Sequence, residues 1–390
     1  MYAKTIIGML DIFLTGSVSF IITFLAIPVI IKIAKIKKLY DIPDERKVHT
    51  QPIPSLGGVG IFGGFLLASL LSIPIVQNPE FQYFFAAAFV IFFLGLKDDV
   101  LILSATKKFI GQAIAASILI HLGGIRIESM HGLLGLYEIP EAFSLALTYL
   151  TIIVITNSFN LIDGIDGLAG TLGLLTMVIF GVYFFMIDMQ AYTLLSFAMA
   201  GSLIAFLIFN NNPAKIFMGD SGSLMVGMFN AILVIKFINL ASLSTVAFPI
   251  ASAVAIGFAI LFVPLLDTLR VFGIRIFGGR SPFSPDRNHF HHLLLDKGLS
   301  HSSVTLCCTV INILFIAMAY FGRHLGPNYI MMIMLAIAFT SLGFMYFHRT
   351  RSKVILPTIN LTKSINREEI KPTSKVIALK QEDVAVGDEY

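Results

Sequence analysis

Runs of about twenty apolar residues recur along this chain, each long enough to cross a hydrocarbon core of roughly 30 Å. They fall near residues 11–34, 56–76, 81–97, 107–123, 143–159, 168–187, 191–209, 221–238, 246–266, 302–321 and 327–347. The pattern predicts an all-α polytopic membrane protein of about 11 transmembrane helices, built as one domain over residues 1–347. Residues 348–390 have no sustained apolar period and are expected to form a polar, disordered tail. The first run is too long for the apolar core of a cleaved signal and passes straight into a basic loop, so it reads as a span.

Charge placement then sets an orientation. Only 13% of residues are charged and 56% are apolar, against roughly 25% charged in a soluble domain. All but four of the 27 Lys and Arg residues (the exceptions are Lys4, Arg126, Lys236 and Arg323) follow odd-numbered spans or lie in the tail. By the positive-inside rule that side is cytoplasmic, with the N-terminus outside and the C-terminus inside. The two cysteines, Cys307 and Cys308, are adjacent within an apolar run. They offer neither a disulfide framework nor metal-ligand spacing and read as small core residues.

The acidic and histidine residues form short clusters at the ends of the apolar runs, all on the cytoplasmic side by this reckoning. Carboxylates at a bilayer boundary are costly, so several on one face suggest a site for a cation and an anionic substrate. Asp98-Asp99 closes the third run. Neighbours on a helix diverge by about 100°, so the two are expected to do different jobs, one facing the site and one held by a lysine or backbone amide. Simple interfacial capping is the alternative. Lys107-Lys108 opens the next run, where a lysine either snorkels to the interface or holds a diphosphate as a point charge.

The segment Asn157-Ser-Phe-Asn160-Leu-Ile-Asp163-Gly-Ile-Asp166-Gly is the strongest signal. Asn157, Asn160 and Asp163 can share one helix face, while Asp166 points elsewhere unless Gly164 and Gly167 turn the backbone. A turn-rich loop from Asn210 to Ser223 carries Phe217 and Asp220. Asp220 is either an N-cap or an oxygen ligand for a divalent cation such as Mg²⁺. The loop from Asp267 to Leu299 contains Arg280, Arg287, His289, His291 and His292. A closed zinc site would need a fourth ligand and wider spacing. Beside two arginines the histidines suit phosphate oxygens better, and a merely solvated basic loop is the plain alternative. Gly60 and Gly64 lie in an apolar run with no strand before them, so they read as helix packing rather than a dinucleotide fingerprint. The loop from Asp41 to Pro54, with Arg46, Lys47 and His49, is a weaker candidate for bordering the site.

At these residues the chain resembles the polyprenyl-phosphate N-acetylhexosamine-1-phosphate transferases, and among them the bacterial N-acetylglucosamine-1-phosphate branch. The likeness covers roughly residues 12–347 and rests on Asp98-Asp99, Asn157-x-x-Asn160-x-x-Asp163-Gly-x-Asp166-Gly, Phe217-Met-Gly-Asp220-Ser-Gly and Ser281-Pro-Phe-Ser-Pro-Asp-Arg-x-His-x-His-His. The resemblance implies a bacterial cytoplasmic-membrane enzyme that joins UDP-N-acetylhexosamine to undecaprenyl phosphate and releases UMP, starting a lipid-linked envelope polysaccharide. It implies Mg²⁺, replaceable by Mn²⁺, with Asp220 as ligand and Asn160 as a second. It implies Asp98, Asp99 and Asp163 as catalytic carboxylates. Phe217 resembles the family's uracil-stacking aromatic, Asp166 and Asn210 its uridine contacts, and Lys108 with His289, His291 and His292 its diphosphate-binding group. Asn157, Arg280 and Arg287 join the substrate-binding set. The partners implied are the nucleotide sugar, the lipid phosphate and membrane lipid, with a homodimer compatible and no nucleic acid.

Phe290 interrupts the histidine run that the related phospho-MurNAc-pentapeptide translocases carry unbroken, which favours the N-acetylglucosamine branch. Phosphoryl transfer asks for positioning and neutralisation more than covalent help. The expected path is therefore direct in-line attack by the lipid phosphate, with a covalent phospho-aspartate as the alternative. A secondary transporter is the competing class, but it would place ionisable groups near the midplane of paired repeats.

Overall fold

The computed structural model describes residues 2–40, 52–101, 103–277, 279 and 290–347. In chain order the helices are α1 (Tyr2–Lys37), α2 (Gly57–Ser72), α3 (Glu80–Leu101), α4 (Ala105–Ser117), α5 (Glu141–Ile162), α6 (Leu168–Met186), α7 (Gln190–Asn210), α8 (Gly219–Ala241), α9 (Ala253–Ile260), α10 (Phe262–Phe277), α11 (Phe290–Asp296), α12 (His301–Phe321) and α13 (Pro327–Phe347). Each apolar run overlaps helix, the fourth continuing past α4 through a π-helical turn at Ile118–Leu122 and the ninth divided between α9 and α10. Among the described residues, seven helices are long and apolar enough to cross a membrane, or eight if α9 and α10 together make one bent span. The protein is thus a helical, multi-pass membrane protein.

The ninth run departs from expectation. The pattern predicts one span near residues 246–266, yet α9 and α10 meet at 80°. The cause is legible in Pro264, which has no N–H to offer the Ile260 carbonyl and would crowd it in an unbroken helix. Asn312 of α12 repairs the break from the side. Its Nδ2 donates to the Ile260 carbonyl (3.0 Å) and its Oδ1 accepts from the Val263 amide (3.0 Å). Asn312 is fully buried, so Asn312→Leu leaves a donor and an acceptor unpaired. It should cost about 2–4 kcal/mol, read as a lower thermal midpoint in detergent.

Helix α8 is the central post: 78% of its most apolar stretch is buried, against 17% for α13 and 22% for α1. Phe13 on α1 and Phe344 on α13 are 71% and 66% exposed, as surfaces meeting lipid tails should be. Gly60 and Gly64 do pack closely, on α1. A Cβ at Gly64 would lie 2.0 Å from Thr23 Oγ1, and one at Gly60 2.9 Å from Ile27 Cγ1. Cys308 is buried and Cys307 partly so, both free. The connection between α4 and α5 forms a short hairpin bridged at Ser129 and Glu138. It is tied to α8 by Asn239 Nδ2 on the Arg126 carbonyl (2.7 Å) and to α13 by the Leu134 amide on Asn328 Oδ1 (2.7 Å).

Candidate active site at the gathered helix ends

At the end of the bundle opposite that hairpin, the C-termini of α3, α5 and α7 meet the N-termini of α2, α4, α6, α8 and α12. The meeting point is the start of α8. Gly219 reaches it with φ +73°, and a Cβ there would sit 2.2 Å from the Ser55 carbonyl and 2.8 Å from both oxygens of Asp99. Only glycine enters this conformation without cost. The segment before it is anchored by Phe217 N–H on the Pro54 carbonyl (2.8 Å) and by Gly57 and Gly58 amides on the Phe217 and Met218 carbonyls (2.9 and 2.8 Å).

Asp99 caps α8 from α3. Its Oδ1 accepts the Asp220 amide (2.7 Å), and its Oδ2 accepts the Ser221 amide (3.1 Å) and the Ser221 hydroxyl (2.7 Å). The first-turn amides of a helix have no intrahelical partner and carry its positive dipole end, so a carboxylate is well matched there. Asp220 itself is in the first turn, not at the cap. The capping alternative raised for Asp99 is therefore real, but the helix it caps is a distant one.

Asp98 turns the other way, as the 100° divergence requires. It contacts Lys108 through Oδ2, and its Oδ1 accepts the Leu103 amide. Lys108 Nζ also donates to Asp220 Oδ2 (2.7 Å), and Asn160 Nδ2 donates to Asp220 Oδ1 (2.8 Å) and to Ser223 Oγ (3.0 Å). One carboxylate is thus shared by α4, α5 and α8. Asp163, in the turn after α5, accepts the Gly219 amide. Burial above all, and then the charges of Asp220, Asp99 and Asp166, push its carboxyl well above the ordinary range.

The remaining expected residues divide. Asn157 does not reach Asp220. Its Nδ2 donates to Gln112 Oε1 (2.7 Å) and the Ile153 carbonyl (2.7 Å). Asn210 is buried, its Oδ1 accepting the Gly167 amide (2.9 Å) and its Nδ2 donating to the Ile216 carbonyl (2.8 Å). Asp166 accepts the Ala214 amide (3.1 Å) and stands 3.4 Å from His301 Nδ1, while Thr305 Oγ1 donates to its carbonyl (3.1 Å). Asn210 and Asp166 therefore frame the loop that carries Phe217, which is half-buried. Arg280, Arg287 and His289 lie outside the described residues, as does most of the Asp41–Pro54 loop. His291 and His292 belong to α11, with their side chains outside the description. Gln112, His301 and Thr305 were not singled out in the sequence. Only the spacing of Gln112, one turn after Lys108, carries a signal for it.

Two glycines let the helix ends close in. A Cβ at Gly58 would lie 2.2 Å from the Gly222 amide nitrogen, and one at Gly95 2.5 Å from the Ser221 Cα and N. Both meet backbone, which cannot step aside. Gly58→Ala and Gly95→Ala should each cost about 1–3 kcal/mol and lower the thermal midpoint. Gly63→Ala, whose Cβ would meet nothing within 4 Å, should leave it unchanged.

The carboxylates at this end, Asp98, Asp99, Asp163 and Asp220, are the kind of oxygen ligand that suits a hard cation. Among the described residues, however, no three His, Cys, Asp or Glu side chains form a metal-ligand group. The fit is to an ion held by one or two carboxylates and completed by substrate phosphates, the usual arrangement for Mg²⁺.

Residues 81–238, which contain this network from Asp98 to Asp220, match the family described as Glycosyl transferase family 4. The chain is 30% identical over 328 residues to the undecaprenyl-phosphate alpha-N-acetylglucosaminyl 1-phosphate transferase of Yersinia pestis, covering 82% of this chain and 86% of that protein. It is 33% identical to the decaprenyl-phosphate N-acetylglucosaminephosphotransferase of Mycobacterium leprae (strain TN), covering 76% and 80%. The Escherichia coli (strain K12) undecaprenyl-phosphate alpha-N-acetylglucosaminyl 1-phosphate transferase is 28% identical over 320 residues, covering 80% and 85%.

Proposed function

The chain belongs to glycosyl transferase family 4, and from that premise we propose that it transfers N-acetylglucosamine 1-phosphate from UDP-N-acetylglucosamine to undecaprenyl phosphate, releasing UMP. One observation carries the reading: Lys108, Asn160 and the start of α8 converge on the Asp220 carboxylate at one end of a membrane bundle. That end is assigned to the cytoplasmic face of a bacterial cytoplasmic membrane, in an eleven-span protein with its N-terminus outside. The support is the basic-residue asymmetry, which leaves only Lys4, Arg126, Lys236 and Arg323 for the other face.

Mg²⁺ is proposed as cofactor: Asp220 would hold it, with the side-chain oxygen of Asn160 as second ligand, and it would supply charge neutralisation for the diphosphate. The chain's own groups do the positioning. Lys108 already sits between Asp98 and Asp220 and offers its ammonium to a phosphate oxygen. Asp98 is assigned the task of orienting the lipid phosphate, because Asp99 is engaged by three donors of α8. Phe217 is assigned to the uracil on the family resemblance, on a loop that Asn210 and Asp166 hold in place. The lipid phosphate oxygen bonds to the β-phosphorus while the bridging oxygen leaves with UMP. The sugar C1–oxygen bond is untouched, so the anomeric configuration is retained.

The names of the relatives favour N-acetylglucosamine over a MurNAc-pentapeptide donor. A transporter is disfavoured because the carboxylates sit at helix ends, not mid-helix. Membranes containing the protein, supplied in turn with UDP-GlcNAc, UDP-GalNAc and UDP-MurNAc-pentapeptide, should form lipid-linked product from the first. Product from the pentapeptide donor alone would replace this assignment.

A further inference from the structure

We propose that Gln112 is a positioning residue for Lys108, acting through a reciprocal amide pair with Asn157. The inference rests on the transferase reading above. Gln112 Nε2 donates to Asn157 Oδ1 (3.2 Å) and Asn157 Nδ2 donates back to Gln112 Oε1 (2.7 Å). Both amides also sit one helical turn from a residue on Asp220: Gln112 follows Lys108 by four positions, and Asn157 precedes Asn160 by three. A primary amide is donor and acceptor at once, so a head-to-head pair fixes both the separation and the rotation of the two helices that carry it.

On the side of α4 that meets α5, this pair is a polar tie between the two helices. The helix starts at Ala105 with an exposed first turn, and Gln112 is its first fully buried side chain, 3% exposed, ahead of Ala115 and Ala116. An amide left alone in this setting is costly, so each partner holds the other. Each amide is engaged by the other, and Asn157 also donates to the Ile153 carbonyl. Asn157, expected to bind substrate, is thereby reassigned to holding α4 against α5. An error of 1 Å in a positioned group can cost about 10²-fold, which is the scale on which Gln112 acts through Lys108.

Two measurements test this on the full-length protein. The first needs no turnover. Acylation of Lys108 by an amine reagent, read by peptide mass spectrometry, should rise at least about 3-fold in Gln112→Ala, as the ammonium leaves its two carboxylates. Unchanged labelling would overturn the proposal. The second is a cycle on kcat/KM for UMP release. Gln112→Ala should cost about 10–100-fold with Lys108 present but under about 2-fold in Lys108→Ala. The pair-preserving swap Gln112→Asn with Asn157→Gln should restore most of the loss. An equal loss in both backgrounds marks a general structural role and overturns the proposal. If the wild-type protein forms no UMP, the transferase reading falls, and the labelling result decides the placement of Lys108 by itself.

Discussion

Asp220→Asn is expected to lower transfer by at least about 10³-fold while the protein still folds. The substitution keeps the shape of the side chain and removes its charge. Asn160 can still donate to the remaining carbonyl oxygen, and Lys108 retains Asp98, so α4, α5 and α8 stay joined. The cost falls on chemistry, because the carboxylate proposed to hold the cation is gone and the diphosphate's charge is no longer balanced. UMP release measured beside a thermal melt and a size-exclusion profile checks both halves. Wild-type turnover in Asp220→Asn would remove this residue from the mechanism.

The second large effect is on stability. Asp99→Ala strips the Asp220 amide, the Ser221 amide and the Ser221 hydroxyl of their common acceptor. Loss of a cap costs about 1 kcal/mol, and part-buried donors left without partners raise the penalty to roughly 2–4 kcal/mol. Asp99→Asn keeps one acceptor oxygen and should recover about half of that loss. The folded fraction of Asp99→Asn should also turn over faster than Asp98→Asn, because Asp99 is committed to α8 whereas Asp98 faces Lys108. A melt and a specific-activity comparison corrected for folded protein decide this. Equal activity in the two asparagine variants would place Asp99 among the reacting groups.

Much of this arrangement was legible before the fold was known, because polar groups in an apolar sequence have few reasons to exist. The run lengths gave the helical, multi-pass character, and seven or eight of the described helices are long and apolar enough to span. The 100° between neighbouring helical positions required Asp98 and Asp99 to diverge, and they do. What the residues could not reveal was partnership across sequence distance. Asp99 lies 121 positions from the amide it caps, and no local pattern connects the two. Asn157 and Asn160 have equal claims on one helix face, yet one meets Gln112 and the other Asp220, which depends on where α4 and α8 approach. The bend at Pro264 is a different case. The proline was visible, but a proline inside a span often only kinks it, and the depth of the break became plain only with Asn312 bonded into it.

The central claim is that one bond, between the α-phosphate and the β-phosphate of the donor, breaks at the gathered helix ends. The most direct test incubates purified protein with UDP-N-acetylglucosamine, undecaprenyl phosphate and Mg²⁺, and identifies the released nucleotide. The account predicts UMP in equal amount to a lipid-linked N-acetylglucosamine diphosphate. Release of UDP, with sugar passed to the lipid without its phosphate, would contradict it.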